Sequence, residues 1–319
     1  MLGRGRGAVN ADRGESPSGT VTRDAAPGRS PRVCAVVVTH NRRDLLRECL
    51  GRLQAQTRSA DRILVIDNAS SDGTQQVLTD EFPDVTTVRT AENVGGAGGF
   101  HTGMRHAYDA GFDWIWVLDD DTFAEPDALE ALLAGADRAP AGRPATLLAS
   151  RVNWTDGRPH PMNGPWVRWW HPAAASAAVA RRLVLLRHST FVSMAVHRDA
   201  IDRHGLPHAH YFIWNDDFEY SGRLLRDGGT GYLVPDSVVT HATARPHSTV
   251  TGDRDRFYWA LRNTLLMLRS PASLYPIEKV LCTITTVRWT VEYLRRWPDA
   301  QALRVIGRGV RDGLRHPVR

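Results

Sequence analysis

Trp114-Ile115-Trp116-Val117-Leu118-Asp119-Asp120-Asp121 is the stretch on which the reading of this chain turns. Five apolar residues, too few for a stable helix, end in three consecutive carboxylates. That is the pattern of a buried strand emptying into a site. Neighbouring carboxylates repel and cost stability unless something positive lies beside them. A divalent cation is the simplest partner, because hard cations take oxygen ligands and keep positions open for substrate phosphates. One reading is therefore a metal–diphosphate site at the carboxyl end of a strand. The other is a solvated acidic turn that caps the next helix.

The flanking sequence repeats the pattern. Val33-Cys34-Ala35-Val36-Val37-Val38 is a β-branched run ended by Thr39-His40-Asn41, after which Leu45, Leu46, Cys49, Leu50 and Leu53 recur at helical spacing. Ile63-Leu64-Val65-Ile66 reads as a second strand, ended by Asp67-Asn68. A third strand is expected over 85–88, with helices over 75–82, 99–110 and 126–136. Alternating strands and helices predict an α/β fold with a mostly parallel central sheet covered on both faces. In such sheets the ligand crevice lies outside the carboxyl ends of the strands. The polar residues gather there three times: Thr39/Asn41, Asp67/Asn68 and Asp119–Asp121. After residue 140 the alternation breaks, leaving expected strands over 189–196 and 231–235 and a helix with an acidic start within 211–227. Further helices are expected over 254–270 and 276–296. The last carries Ile277, Val280, Leu281, Ile284, Val287, Val291 and Leu294 on one stripe.

Composition bounds the partners. The 319 residues carry a net charge of +5, unevenly placed. Residues 1–32 hold six arginines against three acids, and residues 276–319 hold nine basic against four acidic residues. The segment between is slightly acidic, which argues against nucleic acid as a partner. The Gly/Arg/Ser/Pro-rich residues 1–32 read as a disordered tail. Residues 33–250 read as the catalytic domain, and 251–319 as a basic, amphipathic helical extension. Cys34, Cys49 and Cys282 form no CxxC pair and suggest a reducing compartment. No secretory signal is legible, and no run approaches the ~18 apolar residues of a membrane span. The expected location is cytoplasmic. The basic end either docks at the inner, anionic face of the plasma membrane or packs on the core.

Five constellations carry chemistry, each with a plainer alternative. Thr39-His40-Asn41-Arg42 offers hydrogen bonds to a base or ribose, or Asn41 caps a helix. Asp67-Asn68-Ala69-Ser70-Ser71-Asp72-Gly73-Thr74 offers a carboxylate to a ribose or base, or is a polar turn. Asn93-Val94-Gly95-Gly96-Ala97-Gly98-Gly99-Phe100 lets backbone approach an anion at a helix N-terminus, or is a flexible turn. Trp214-Asn215-Asp216-Asp217-Phe218-Glu219-Tyr220 supplies a general base, or merely acidic residues that suit a helix start. His241 is a metal ligand or a structural histidine. Trp166, Trp169, Trp170 and Trp214 are stacking faces for sugars or core residues.

At these residues the chain resembles family 2 glycosyltransferases with the GT-A fold. Val36-Val37-Val38-Thr39-His40-Asn41-Arg42, Val65 through Thr74 and Leu118-Asp119-Asp120-Asp121 follow the family's motifs in order and spacing, over about residues 33–245. The glycine string, Asp216-Asp217 and Tyr258-Trp259-Ala260-Leu261-Arg262-Asn263 resemble the galactofuranosyl- and rhamnosyltransferase-like branch of actinobacterial cell-envelope synthesis. The resemblance implies an inverting enzyme with a nucleotide-diphosphate sugar donor. UDP-galactofuranose stands first, because of the glycine string, and dTDP-rhamnose second. The implied acceptor is a hydroxyl of a glycan or polyprenyl-linked saccharide. By the same resemblance Thr39, Asn41 and Asp67 hold the nucleotide, with Asn68, Gly95 and Gly96 beside it. Asp119 and Asp121 hold Mn²⁺ or Mg²⁺, Asp120 lies near the donor sugar or ribose, and His241 is a further ligand. Asp217 is the implied base, with Asp216 and Glu219 nearby. Many family members have Glu-Asp where this chain has Asp216-Asp217, which leaves the base open between the two. A metal-dependent nucleotidyltransferase and a non-catalytic sugar-nucleotide or glycan binder are the competing functions.

Overall fold

The computed structural model describes residues 29–244 and 254–318. Residues 1–28 of the expected tail, and the expected domain boundary at 250, lie outside the described residues. The first half alternates as expected: β1 (Val33–Thr39), α1 (Arg43–Gln54), β2 (Arg62–Asp67), α2 (Thr74–Glu81), β3 (Thr86–Arg89), α3 (Gly95–Asp109) and β4 (Trp114–Asp119). Next come β5 (Thr122–Ala124), α4 (Ala128–Asp137), β6 (Leu147–Asn153), β7 (Trp166–Val167), α5 (Pro172–Val179), β8 (Val184–His188), β9 (Ser193–His197) and α6 (Arg198–His204). The chain continues through α7 (Asp216–Arg226), β10 (Gly231–His241), α8 (Phe257–Arg269), α9 (Pro276–Arg296) and α10 (Ala300–Arg315).

One ten-stranded sheet runs in the order β3-β2-β1-β4-β9-β6-β10-β8-β7, with β5 paired to β10. The parallel arrangement expected from the sequence holds across β3-β2-β1-β4. Beyond β4 the sheet is mixed: β9 runs antiparallel between β4 and β6, while β6 and β10 are parallel. β6 and β8 were not legible as strands, because their apolar runs are short and end at Ser150 and Arg187. β10 is also longer than the expected 231–235. A register shift between Val234 and Val238 interrupts its pattern, so that Pro235-Asp236-Ser237 reads as a strand end while pairing resumes beyond it.

Both faces of the central strands β1 and β4 are buried, which is why these are apolar at nearly every position. Val33, Ala35 and Val37 of β1 join Trp114, Trp116 and Leu118 of β4 in one core, under α1 and α4. Cys34, Val36 and Val38 join Ile115 and Val117 in the other, under Phe100 and Met104 of α3 and Tyr220 and Leu224 of α7. The C-terminal helices divide their roles. α10 buries Ala302 and Val305 against Phe257 and Leu261 of α8. Its Gly309 and Gly313 allow close approach to the Tyr258 and Arg262 carbonyls. α9 is pinned by a buried ion pair, Arg187 Nε to Glu278 Oε1 at 2.7 Å, yet leaves Ile277, Val280, Leu281, Ile284, Val287 and Val291 exposed. Among the described residues no helix is long and apolar enough to cross a membrane.

Candidate active site and metal centre

β1, β2 and β4 are parallel neighbours, so their carboxyl ends open on one side. Thr39 lies in register with Asp67, and Val38 with Asp119. β10 completes the site from across the sheet. Its last residue, His241, pairs with Thr122 of β5, and the amide of Ala242 donates to the Asp121 carbonyl at 2.8 Å. Topology thus brings a histidine beside an acidic triplet 120 positions earlier in the chain.

Asp119, Asp121 and His241 each offer a ligand atom, all within 4.8 Å of one another. His241 Nδ1 lies 2.9 Å from Asn163 Oδ1, a contact that takes the ring proton and leaves Nε2 facing Asp121 Oδ1 at 3.1 Å. Asp121 Oδ1 is buried and has no hydrogen bond. A buried, orphaned carboxylate oxygen opposite an imidazole lone pair fits a divalent cation. Without a cation, burial works to lower the His241 pKa, but the Asp121 carboxylate it faces and the Asp119 charge raise it overall. Burial would likewise raise Asp121, yet His241 and Arg42 hold it below the usual carboxylate range. Asp119 is pushed up to about 6, by burial first and by Asp121 second. Asp120 points away from this cluster and accepts from Thr39 Oγ1 at 2.8 Å. Burial pushes it up to about 7 against the pull of Arg42.

The second acidic pair opens α7, close enough to the triplet for charge to be felt: Asp217 contributes to the rise at Asp119, and Asp119 to the rise at Asp216. Asp216 is buried, and its pKa is raised well above the ordinary value by burial and by Asp217. Asp217 accepts from the Phe218 amide at 2.7 Å and is raised to about 6 by burial. Glu219 is turned elsewhere, paired with Arg223 Nε at 2.9 Å. The helix-start reading of this motif holds, since the acids form the first turn of α7.

The nucleotide-side residues form a tightly bonded wall. Asp67 is fully buried; Oδ1 accepts from the Ser70 amide at 2.9 Å, and Oδ2 from Gln75 Nε2 at 2.7 Å and Arg89 Nη1 at 3.1 Å. Asn41, at φ 53°, does not cap α1, whose N-cap is Arg42. Its Oδ1 instead accepts from the Ser71 amide at 2.7 Å and ties the two loops together. Asn68 Nδ2 donates to the Gly95 carbonyl at 2.9 Å. The glycine string is ordered helix, with a packing cause. A Cβ on Gly95, at φ +73°, would stand 2.2 Å from the Phe212 carbonyl oxygen, and one on Gly99 would stand 2.4 Å from Val38. The Ala97 amide donates to that same Phe212 oxygen at 3.1 Å, so the first turn of α3 already has an acceptor. Gly96 faces open space.

Several residues of the site carried no assigned role in the sequence reading. Arg42 Nη1 donates to Asp120 Oδ1 at 3.2 Å and Asp121 Oδ2 at 2.6 Å, supplying the positive charge the triplet requires. Its position directly after Thr-His-Asn at a strand end was the available signal. Asn163 lies in a patternless loop, and only the fold links it to His241. Of the tryptophans, Trp166 is half exposed and meets Phe218 edge-on at 5.0 Å, one residue from Asp217. Trp169 is 76 % exposed, Trp170 packs edge-on against Tyr275, and Trp214 is partly buried with no partner for its indole N–H.

Comparison with known proteins agrees with this geometry. The family described as Glycosyl transferase family 2 matches residues 34–205. The galactofuranosyltransferase GlfT1 of Mycolicibacterium smegmatis is 30 % identical over 257 residues, covering 75 % of this chain and 83 % of that protein. The N-acetylglucosaminyl-diphospho-decaprenol L-rhamnosyltransferase of Mycobacterium tuberculosis is 28 % identical over 241 residues, 67 % of this chain and 76 % of that protein. The fold is shared with the mannosyltransferase PcManGT from Pyrobaculum calidifontis, solved with GDP-Man and Mn²⁺, at a TM-score of 0.58 and 19 % identity over 92 % of this chain and 83 % of that one. With its GT-A-type sheet and its strand-end motifs, the chain belongs to glycosyltransferase family 2.

Proposed function

We propose that this chain is an inverting, divalent-metal-dependent glycosyltransferase. It moves galactofuranose, or as second choice rhamnose, from a nucleotide diphosphate to a hydroxyl of a cell-envelope glycan or lipid-linked saccharide. The observation that carries the reading is the clustering of Asp119, Asp121 and His241, whose ligand atoms lie within 4.8 Å of one another at the carboxyl ends of β4 and β10. The named activities of the mycobacterial relatives support the two donors and their order.

In this reading Asp119, Asp121 and His241 hold Mn²⁺ or Mg²⁺, and Asn163 orients the imidazole. The cation would neutralise the leaving diphosphate, so no protonated acid is needed there. Thr39, Asn41, Asp67 and Asn68 line the nucleoside side, Asp120 lies toward the ribose or donor sugar, and the Gly95-Gly96 backbone borders the donor. Asp217 accepts the acceptor's proton as the acceptor oxygen bonds to the anomeric carbon and the bond to diphosphate breaks. A single displacement of this kind inverts the centre. Asp216, more deeply buried and with its pKa raised by burial and by Asp217, is the poorer base. Trp166 offers a stacking face beside Asp217 for the acceptor sugar.

Transfer from a panel of UDP- and dTDP-sugars, with Mn²⁺, Mg²⁺ or a chelator, tests this reading in wild type and Asp121→Ala. Metal-dependent turnover of one donor, lost in the variant, is the expected result. Pyrophosphorolysis of the donor instead of sugar transfer would turn the reading toward a nucleotidyltransferase. Donor binding without any turnover would turn it toward a binding protein.

The exposed aliphatic stripe of α9, flanked by Arg288, Arg295 and Arg296, supports peripheral docking at the anionic inner face of the membrane, where a polyprenyl-linked acceptor would be presented.

A further inference from the structure

The chain between the turn at Ala209–Tyr211 and α7 adopts an unusual path. Phe212, Trp214 and Asn215 lie at φ 62°, 71° and 65°, in the left-handed region that residues with side chains avoid. Such a backbone persists only where its surroundings over-determine it. Here the surroundings are three consecutive residues of α8.

Asn263 is fully buried, and its Nδ2 lies 2.9 Å from the Tyr211 carbonyl oxygen, 2.9 Å from that of Ile213 and 2.8 Å from that of Trp214. An amide has two N–H groups, so one of them is shared. Arg262 Nη1 donates to the Asn263 Oδ1 at 2.7 Å, which fixes the amide's orientation, and to the His210 carbonyl at 2.9 Å. Thr264 Oγ1 accepts from Asn215 Nδ2 at 3.1 Å while its hydroxyl donates to the Ala260 carbonyl at 2.8 Å. The remaining carbonyl, that of Phe212, goes to the first turn of α3. Every residue from His210 to Asn215 is thereby held from outside the loop, and Asp216 follows at once.

We propose that Asn263 is a positioning residue for the catalytic base: by gathering three carbonyls of the left-handed loop it sets where α7 begins, and so where the Asp217 carboxylate meets the acceptor. This rests on reading Asp217 as the base. Asn263 touches neither donor nor acceptor. The Arg-Asn pair that ends the Tyr258–Asn263 motif thereby acquires a physical role, since a segment that follows the strand-built crevice in the chain holds that crevice's base in place.

The test compares wild type, Asn263→Leu, Thr264→Val and Asp217→Asn. Leucine keeps the branched outline of Asn263 and removes both donors and the acceptor; valine keeps the shape of Thr264 and removes the acceptor for Asn215. Calorimetric titration with UDP and Mn²⁺ gives the fraction of competent sites, and sugar transfer from the active donor is expressed per competent site. Asn263→Leu is expected to lower kcat per site about 100-fold, with donor KM and UDP affinity within about twofold of wild type, because small misplacements of reacting groups have effects of that size. Thr264→Val is expected to do the same more weakly, by about three- to tenfold. A merely structural role would reduce the number of competent sites and leave turnover per site unchanged. That outcome in Asn263→Leu overturns the inference; should that variant not fold, the same outcome in Thr264→Val overturns it. Transfer retained by Asp217→Asn would instead overturn the assignment of the base, a failure separable from that of Asn263.

Discussion

Asp119, Asp120 and Asp217 all have raised pKa values, and each for a chemical reason that predicts a pH dependence. As the proposed base, Asp217, at about 6, must be ionised to accept a proton, so kcat is expected to rise with pH through about 6 and level off above it. Asp217→Asn should lower kcat by roughly 10²- to 10⁴-fold, the usual contribution of a positioned base, and abolish that acid limb. The acid triplet predicts a second effect. Asp119 at about 6 and Asp120 at about 7 bind their protons more tightly when folded than when unfolded. The cation-free protein therefore loses stability as pH rises from the ordinary carboxylate value through about 7. In the proposed site manganese would reverse the loss, because it would bind ionised Asp119. The increase in Tm on adding Mn²⁺ should accordingly be larger above the Asp119 value than below it, and absent in Asp121→Ala. A Tm increase independent of pH would contradict the assignment.

At the scale of elements, close packing explains what composition left ambiguous. The glycines of α3 read as a flexible turn or an anion cradle, but Gly99 and Gly103 are where the helix meets the sheet. A Cβ on Gly103 would stand 2.3 Å from Val36 and 3.1 Å from Ile66, so Gly103→Ala is expected to destabilise by about 1–3 kcal/mol in urea unfolding, with UDP affinity unchanged. α9 offers the converse case, held to the core by charge. Glu278 accepts from the Tyr275 amide at its own N-terminus and pairs with the fully buried Arg187. Burial alone would raise the Glu278 pKa, but hydrogen bonds from His188 and Arg187 hold it down to about 2. Glu278→Ala leaves Arg187 buried and unpaired and should cost about 3–5 kcal/mol. Because the folded value is depressed, this contribution is present above the ordinary glutamate value and disappears as pH falls through about 2.

Across the whole molecule the exposed apolar surface is not where the basic tail alone would put it. α10, the strongly amphipathic last helix, spends its apolar face on α8. α9 instead leaves six aliphatic residues exposed beside three arginines. Ile284→Glu combined with Val287→Glu should therefore abolish sedimentation with phosphatidylglycerol–cardiolipin vesicles, leave transfer to a soluble acceptor intact and keep Tm within a few degrees of wild type. Undiminished vesicle binding would exclude α9 as the docking face.

By itself the sequence determined the parallel half of the sheet and the strand ends that carry Thr39, Asp67 and Asp119–Asp121. Apolar runs that stop abruptly at polar residues are a local signal, and parallel neighbours joined by helices must open on the same side. His241 and Asp217 were legible as candidates, but nothing local says that His241 meets Asp119 and Asp121. Their meeting required β9 to insert antiparallel beside β4 and β10 to run on past its bulge, both non-local pairings. Arg42, Asn163 and Asn263 were hidden for the same reason. Each acts through a contact with a residue about 50 to 80 positions away, and such contacts exist only after the chain has packed.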